Sequence, residues 1–501
     1  MQVDFMDPYS SVSAVLSNVD LLYEIFGRFY LKTPLVPPSR REHLCYEDDA
    51  LRAHALANLA RVCRTFRDPA LDILWNQQDN LSATLALLPQ AGLSISDAEL
   101  TRFETYTKRV RYLRLDDLPE PSVLNMVARL RNGQPLFPSL RTLEMYEIWP
   151  LTPTEGALLF CSTLRDIRLW GRQLQPSLRC GPLTPRQQID LCLQLLSTRS
   201  PDLRALSLEY HYIPASRHIS ALDPVLMLRN FQDITPTIKR DPFSREMPSV
   251  WLQKLSVLEH LDRLALSEGP FVMHNTPCFL PNAFSALRHL RVAGQSKTWS
   301  QFFSRIFPLC LIDISFLDTQ FWLTEEDQHD IYQCMEAIAR HRMLERVKVT
   351  NSSFSHHDNP DNAIPMWMIV KPLLALHQLR ELTIISNKYV TLTDDEVSCM
   401  ATAWPGLESL DLYQNRWVSL CPTVTSLMGL ASHCPQLKDL RLVVDFANLP
   451  NVQAVRCMSH RLEFLVCRRR DRSQRIDEEN AEKAAAVVDR IFRFANKVLP
   501  W

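Results

Sequence analysis

A short apolar phrase recurs twelve times along this chain: apolar, two residues of any kind, apolar, one of any kind, apolar. The plainest copies are Leu140-Arg-Thr-Leu143-Glu-Met145, Leu203-Arg-Ala-Leu206-Ser-Leu208, Leu287-Arg-His-Leu290-Arg-Val292, Leu379-Arg-Glu-Leu382-Thr-Ile384, Leu407-Glu-Ser-Leu410-Asp-Leu412 and Leu437-Lys-Asp-Leu440-Arg-Leu442. Counted by their first residue, the copies start at 110, 140, 164, 203, 261, 287, 309, 344, 379, 407, 437 and 462. The alternation at the end of the phrase fits a strand, where every second side chain shares a face. A chain that repeats one strand unit buries each copy against the next, so it folds as an array.

The phrase is the strand signature of a leucine-rich repeat, although the spacing is irregular and longer than the usual ~20–29 residues. Between strands the pattern turns helical, as in Gln187–Leu196, Asp327–Ala339, Asp394–Trp404 and Thr423–His433. Proline precedes several strands, at Pro138, Pro201, Pro308, Pro405 and Pro435, where it stops a helix and sets an extended backbone. The expected fold class is α/β: a leucine-rich-repeat solenoid over 109–470, with a curved parallel sheet inside and helices outside. The long interval before residue 261 holds 211–250, rich in Pro and charge, read as an excursion from one rim. The Ala- and Glu-rich tail, 471–501, is expected to supply a capping helix.

Composition narrows the function. Lys+Arg is 55 and Asp+Glu is 56, so no global basic field recommends nucleic acid. The 13 cysteines are scattered without a C-x-x-C, which favours reduced thiols and a cytoplasmic or nuclear setting over disulfides or zinc. Only 10 glycines stand against 33 prolines, and no two make a G-x-G, so glycine-cradled phosphate sites are not expected. His356-His357-Asp358 lacks further ligands in sequence, and no G-x-S-x-G occurs. The expectation is a non-catalytic protein without cofactor or metal. The amino terminus lacks a signal-peptide pattern, and no run approaches the ~18 apolar residues of a membrane span, so no membrane association is expected.

Before the array, residues 1–80 read as a small helical domain and 81–108 as a connector. The first helix is placed over 14–30, with Ser17 and Asp20 as a capping box and Leu21, Leu22, Ile25, Phe26 and Phe29 on one face. Pro34, Pro37, Pro38 and the charged run Arg40 to Asp49 read as a loop over about 31–50. A second helix is expected from about Asp48 to Phe66, and a third from Asp68-Pro69.

Residues 16–75 resemble an F-box of the fungal type. The resemblance rests on Leu16, Leu21-Leu22-Tyr-Glu-Ile25-Phe26, Leu59-Ala-Arg-Val62-Cys63-Arg-Thr-Phe66 and Ala70-Leu71-Asp-Ile-Leu74-Trp75. Ser17 stands where that family has proline, Phe66 where it has tryptophan, and the 31–50 loop is unusual for it. An F-box followed by leucine-rich repeats resembles the substrate receptors of cullin-type ubiquitin ligases. The resemblance implies docking on a Skp-type adaptor, and through it a cullin, while the repeats hold an unknown protein substrate. Its implied adaptor contacts are Leu16, Leu21, Leu22, Ile25, Phe26, Leu59, Val62, Cys63 and Phe66. The same apolar residues also suit the core of the helical domain itself. A ligase receptor needs no nucleophile, because tethering raises the local concentration of substrate lysines.

Strand residues that point away from the core follow from the period of two. They include Tyr146, Arg168, Trp170, Arg291, Lys348, Asp411, Tyr413 and Arg441, a mixed-charge and partly aromatic surface for a protein substrate. The simpler reading is a solvated sheet face. The rival function is a plain repeat scaffold without a ligase role.

Overall fold

A computed structural model describes residues 16–28, 46–88, 96–116, 121–146, 153–171, 185–210, 228, 230–238, 249–266, 279–280, 282–293, 296–306, 310–317, 325–351, 364–412, 414–417, 421–455, 457, 460, 462–468, 478–493 and 495–498. The protein is α/β and divides into two compact units. The first comprises Met1–Leu206 with Ser220–Asn230, and the second Ser207–Ile219 with Phe231–Trp501. Among the described residues no helix is long and apolar enough to cross a membrane.

The first unit begins with three helices, α1 (Val19–Gly27), α2 (Tyr46–Val62) and α3 (Arg64–Asn76). Asn18, not Ser17, caps α1: its side chain accepts from the backbone N–H groups of Asp20 and Leu21. The charged run read as loop is cut short, because α2 already starts at Tyr46. Pro69 does not open the third helix but lies inside α3, which starts at Arg64 after the extended Cys63. Leu22, Phe26, Leu56 and Ala70 form the bundle core, flanked by Leu59, Ala60, Phe66, Ile73 and Leu74. Phe26 meets Phe66 edge to face at 5.4 Å.

Residues 81–108 are also helical in part. Here α4 (Ser82–Leu85) is followed by α5 (Asp97–Thr107), which Ser96 and Glu99 close with a reciprocal capping box. The sheet then runs β1 (Gln77–Gln78), β2 (Tyr112–Leu115), β3 (Thr142–Tyr146) and β4 (Asp166–Gly171), each parallel to the next. Helices α6 (Pro121–Leu130) and α7 (Pro153–Leu159) lie between β2, β3 and β4 in sequence, and α8 (Pro185–Arg199) leads to β5 (Ala205–Tyr210). Asn132 (φ 48°) and Gly133 (φ 75°) end α6, their N–H groups bonding to the carbonyls of Arg129 and Ala128.

The second unit repeats the scheme. Its parallel order is β6 (Asp233–Ile238), β7 (Arg263–Leu266), β8 (His289–Ala293), β9 (Asp313–Leu317), β10 (Arg346–Asn351), β12 (Glu381–Thr391), β13 (Ser409–Leu412), β15 (Asp439–Val443), β16 (Phe464–Arg468) and β17 (Asn496–Val498). Short β11 (Ile364–Pro365) and β14 (Gln414–Trp417) pair with the far end of β12. The helices are α9 (Ser249–Ser256), α10 (Ser296–Phe303), α11 (Glu325–Ile338), α12 (Trp367–Leu373), α13 (Asp394–Ala403), α14 (Val424–His433) and α15 (Glu478–Ile491). Strand β6 corrects the reading of 211–250 as an excursion: the segment carries a further strand with Phe231 and Ile234 buried. The copy expected from residue 309 sits two residues later, on Leu311, Ile314 and Phe316. The closing helix stops at Ile491, and the chain adds β17.

Two devices define each repeat. The last two apolar positions of the phrase lie in the strand, and pairs such as Leu143/Met145, Leu290/Val292, Leu410/Leu412 and Leu440/Leu442 are 2% exposed or less. The first apolar position precedes the strand, and its N–H donates to the carbonyl three residues back. Leu140 to Phe137, Leu164 to Cys161, Leu407 to Trp404 and Leu437 to Cys434 all measure 3.1 Å. In several repeats the side chain at that earlier turn position is buried and polar enough to bond to backbone carbonyls. Ser200 Oγ donates to Cys161 O (3.0 Å), Trp404 Nε1 to Leu373 O (3.3 Å) and Cys434 Sγ to Trp404 O (3.6 Å). Burial pushes the Cys434 thiol up to about 11.

Asp394 joins two helices in the second unit. It lies in the first turn of α13 and accepts from Thr423 N–H (2.8 Å) and Thr423 Oγ1 (2.7 Å), and also from Ser426 Oγ at the start of α14. Replacing Asp394 by Ala leaves those donors without a carboxylate and removes negative charge from two helix starts. The expected loss is about 1–2 kcal/mol of stability, read as a shift in the urea midpoint without a change in slope.

Candidate interaction surfaces

The N-terminal bundle sorts its apolar residues into two sets. Leu22 and Phe26 are core, with Leu59 and Phe66 packed beside them. Leu16, Val19, Leu21 (37%) and Ile25 (43%) are exposed around α1, as are Leu51 (69%) on α2, Val62 (65%) and Cys63. Helical spacing explains the split, since positions 22 and 26 face inward while 21 and 25 fall a residue earlier on the turn. Of the eleven large hydrophobic residues exposed among the described residues, seven lie between Leu16 and Val62. The expected adaptor contacts therefore separate into Leu16, Leu21, Ile25, Val62 and Cys63 at the surface and Leu22, Phe26, Leu59 and Phe66 inside or at the edge of the core.

The bundle is pinned to the chain that leads into β2. The Arg109 guanidinium, nearly buried, pairs with Asp72 and with Asp68 (NH2 to Oδ1, 2.6 Å), and Tyr23 donates to the other Asp72 oxygen. Trp75 packs on Tyr106 of α5 with centroids 4.8 Å apart, which makes it a junction residue.

On the open face of the first unit's sheet, register brings five residues together. Arg114 lies beside Glu144, Glu144 beside Arg168, and Tyr146 beside Trp170. The Tyr146 and Trp170 rings stack in parallel, 4.3 Å between centroids and 4° between planes. The Arg114 guanidinium lies over the other side of Tyr146 at 4.7 Å and is oriented by Asp116, Nε to Oδ1 at 3.1 Å. Under this layer the Glu144 side chain, 5% exposed, binds Arg168 NH1 at 3.0 Å and accepts from Tyr146 and Tyr112. A buried carboxylate with a cation and phenolic donors fixes the geometry of its neighbours. Sequence reasoning named Tyr146, Arg168 and Trp170 but missed Arg114, which occupies the equivalent position in Leu113-Arg114-Leu115.

In the second unit the open face carries Arg291, Lys348, Asp411 and Arg441 in one row. Arg441 NH1 reaches Asp411 Oδ2 at 3.4 Å and lies over the Phe464 ring at 5.6 Å. One row nearer the strand starts, Asp313 sits between His289 (3.5 Å) and Arg346 (3.2 Å). At the strand-start edge, Arg380 links Glu345 (3.7 Å) to Glu408 (3.1 Å), and Lys438 reaches Glu408 at 2.6 Å. The hydrogen bond from Lys438, seconded by Arg380, holds the Glu408 carboxyl below the usual carboxylate range. A shallow cleft of about 380 Å³ opens there, lined by Glu345, Arg380 and Glu408 with His377, Gln378, Gly406 and Gln436. Tyr413, His356-His357-Asp358 and the basic run after Arg468 lie outside the described residues. Among the described residues no group of three His, Cys, Asp or Glu side chains is placed to hold a metal.

No protein-family model matches the chain, and no curated protein matches it.

The Glu144 cluster gives a pH-dependent prediction. Burial first, then the Glu144 charge and hydrogen bonds, raises the Tyr112 and Tyr146 phenols above the ordinary tyrosine value. A phenol raised in the folded state contributes stability that is whole below its unfolded pKa and is lost as pH rises above it. Ultraviolet titration is expected to show two phenols ionising only at the alkaline unfolding transition. In Glu144→Gln they ionise at lower pH, though still above free tyrosine because burial remains.

Proposed function

We propose that the chain is the substrate-recognition subunit of an SCF-type ubiquitin ligase. On this reading the three-helix bundle is an F-box that docks on a Skp-type adaptor, and the repeats form a leucine-rich-repeat solenoid that holds a protein substrate. The observation that carries it is the incomplete burial of the bundle: Leu16, Val19, Leu21, Ile25, Leu51 and Val62 remain exposed after its core has closed. Isolated exposed apolar residues are ordinary, but several on one small domain mark an interaction surface. Helix-in-groove docking takes that kind of face. The receptor contributes position, not a nucleophile: it lowers the barrier to lysine modification by raising effective concentration. The Tyr146–Trp170 stack, backed by Arg114 and the Glu144 cluster, supplies rigid aromatic area of the kind that anchors protein interfaces.

The test separates surface from core. Leu21→Asp with Ile25→Asp leaves the melting temperature near wild type, because both sites are exposed, and abolishes capture of the purified Skp-type adaptor. Leu22→Asp buries a charge and unfolds the bundle, so it carries no information about docking. Wild-type chain that fails to capture the adaptor would leave a plain repeat scaffold. On the sheet, Trp170→Ala is expected to weaken substrate capture by about 2 kcal/mol or more, measured by quantitative co-purification from the native cell, with adaptor binding unchanged.

A further inference from the structure

The open face of the second unit holds an unbalanced row of charge. The row runs Arg291, Ser315, Lys348, Thr383, Asp411 and Arg441 across neighbouring strands. Asp411 is taken by Arg441. Arg291 and Lys348 are exposed, and neither makes an ion pair with a described residue. On the strand-start side, Asp313 pairs with Arg346 and lies against His289, while Glu381 stands exposed beyond Arg346. Toward the strand ends lies a half-buried shelf of Leu317, Thr350 and Ile385, in which Thr350 Oγ1 donates internally to Phe316 O at 3.0 Å. An acidic ligand is therefore drawn to the middle row, kept off the Glu381 side and offered apolar surface on the other.

Spacing narrows the ligand. Neighbouring strands lie about 4.8 Å apart, so the two spacings across β9 separate the Arg291 and Lys348 backbones by about 10 Å. A polyproline-II segment rises about 3.1 Å per residue with three residues per turn, so side chains three apart share a face about 9 Å apart. We propose that this row binds an extended protein segment carrying two carboxylates three residues apart, with an apolar side chain between them resting on Leu317. The hydroxyls of Ser315 and Thr383 lie between and beside the two cations to bond the carboxylates. The proposal deepens the receptor reading by naming the class of target, and rests on that reading for its biological role alone.

The experiment titrates full-length protein against a fluorescent peptide, Ser-Pro-Glu-Leu-Pro-Glu-Pro-Ser, and against the same peptide with both Glu changed to Gln or placed side by side. The spaced acidic peptide is expected to bind about tenfold more tightly than the Gln peptide, as complementary charge at an interface allows. The double variant Arg291→Glu, Lys348→Glu loses that preference and favours the peptide with Lys in place of Glu, while its circular dichroism matches wild type. Equal binding of the Gln peptide, or undiminished acidic binding by the double variant, overturns the proposal. Equal binding of the side-by-side peptide overturns the spacing. Adaptor capture, run on the same samples, reports on the receptor reading separately: a chain that selects the spaced acidic peptide without capturing adaptor keeps this site and loses the ligase role.

Discussion

The structure depends on one constraint, the parallel register that each repeat imposes on the next. A carbonyl just ahead of one strand accepts two N–H groups from the following repeat. Arg165 and Asp166 both donate to Arg141 O (2.8 and 3.0 Å), and Glu408 and Ser409 both donate to Arg380 O (2.7 and 2.9 Å). The bond fixes where the next strand starts, and the period of two then puts its apolar pair into the core. A slip by one residue would expose Leu410 and Leu412 and bury Asp411, so core and register enforce each other. Since each repeat packs chiefly on the repeats beside it, stability accumulates locally along the array.

That division of labour frees the other face. The strand residues between the buried positions take no part in the core, and their side chains vary without cost to it. In the first unit they build the Arg114–Tyr146–Trp170 layer over a buried carboxylate. In the second they leave Arg291 and Lys348 without an ion pair among the described residues, beside paired charges. The N-terminal bundle shows a different kind of excess, apolar side chains that three short helices cannot bury. Both kinds of surplus are the physical basis for reading the chain as a holder of other proteins.

The regular part of the fold was legible in the sequence because the phrase states its own register. Eleven of the twelve expected copies lead into strands beginning two residues after their first apolar residue; the twelfth shifts to Leu311. Strand β6 escaped notice because Pro236 stands where the phrase calls for an apolar residue. Strand β1 is two residues long, too short for any period. The turn position escaped too: Cys161, Ser200, Trp404 and Cys434 share no residue class, only burial and bonding to backbone carbonyls. At the amino terminus, Asn18 outcompeted Ser17 as the cap, and Pro69 fits inside a helix that sequence rules would have broken. Of the surfaces, the strand period located the residues, but not the burial of Glu144 or the stacking of Tyr146 on Trp170, which depend on neighbours two dozen residues away.

The central claim is that α1 presents an apolar face for a second protein. Hydrogen exchange of the intact chain, with and without purified Skp-type adaptor, tests it most directly. The account predicts slowed exchange at the amides of residues 16–28 and 51–63, with the strands of both units unchanged. Identical exchange in those segments at saturating adaptor would contradict it.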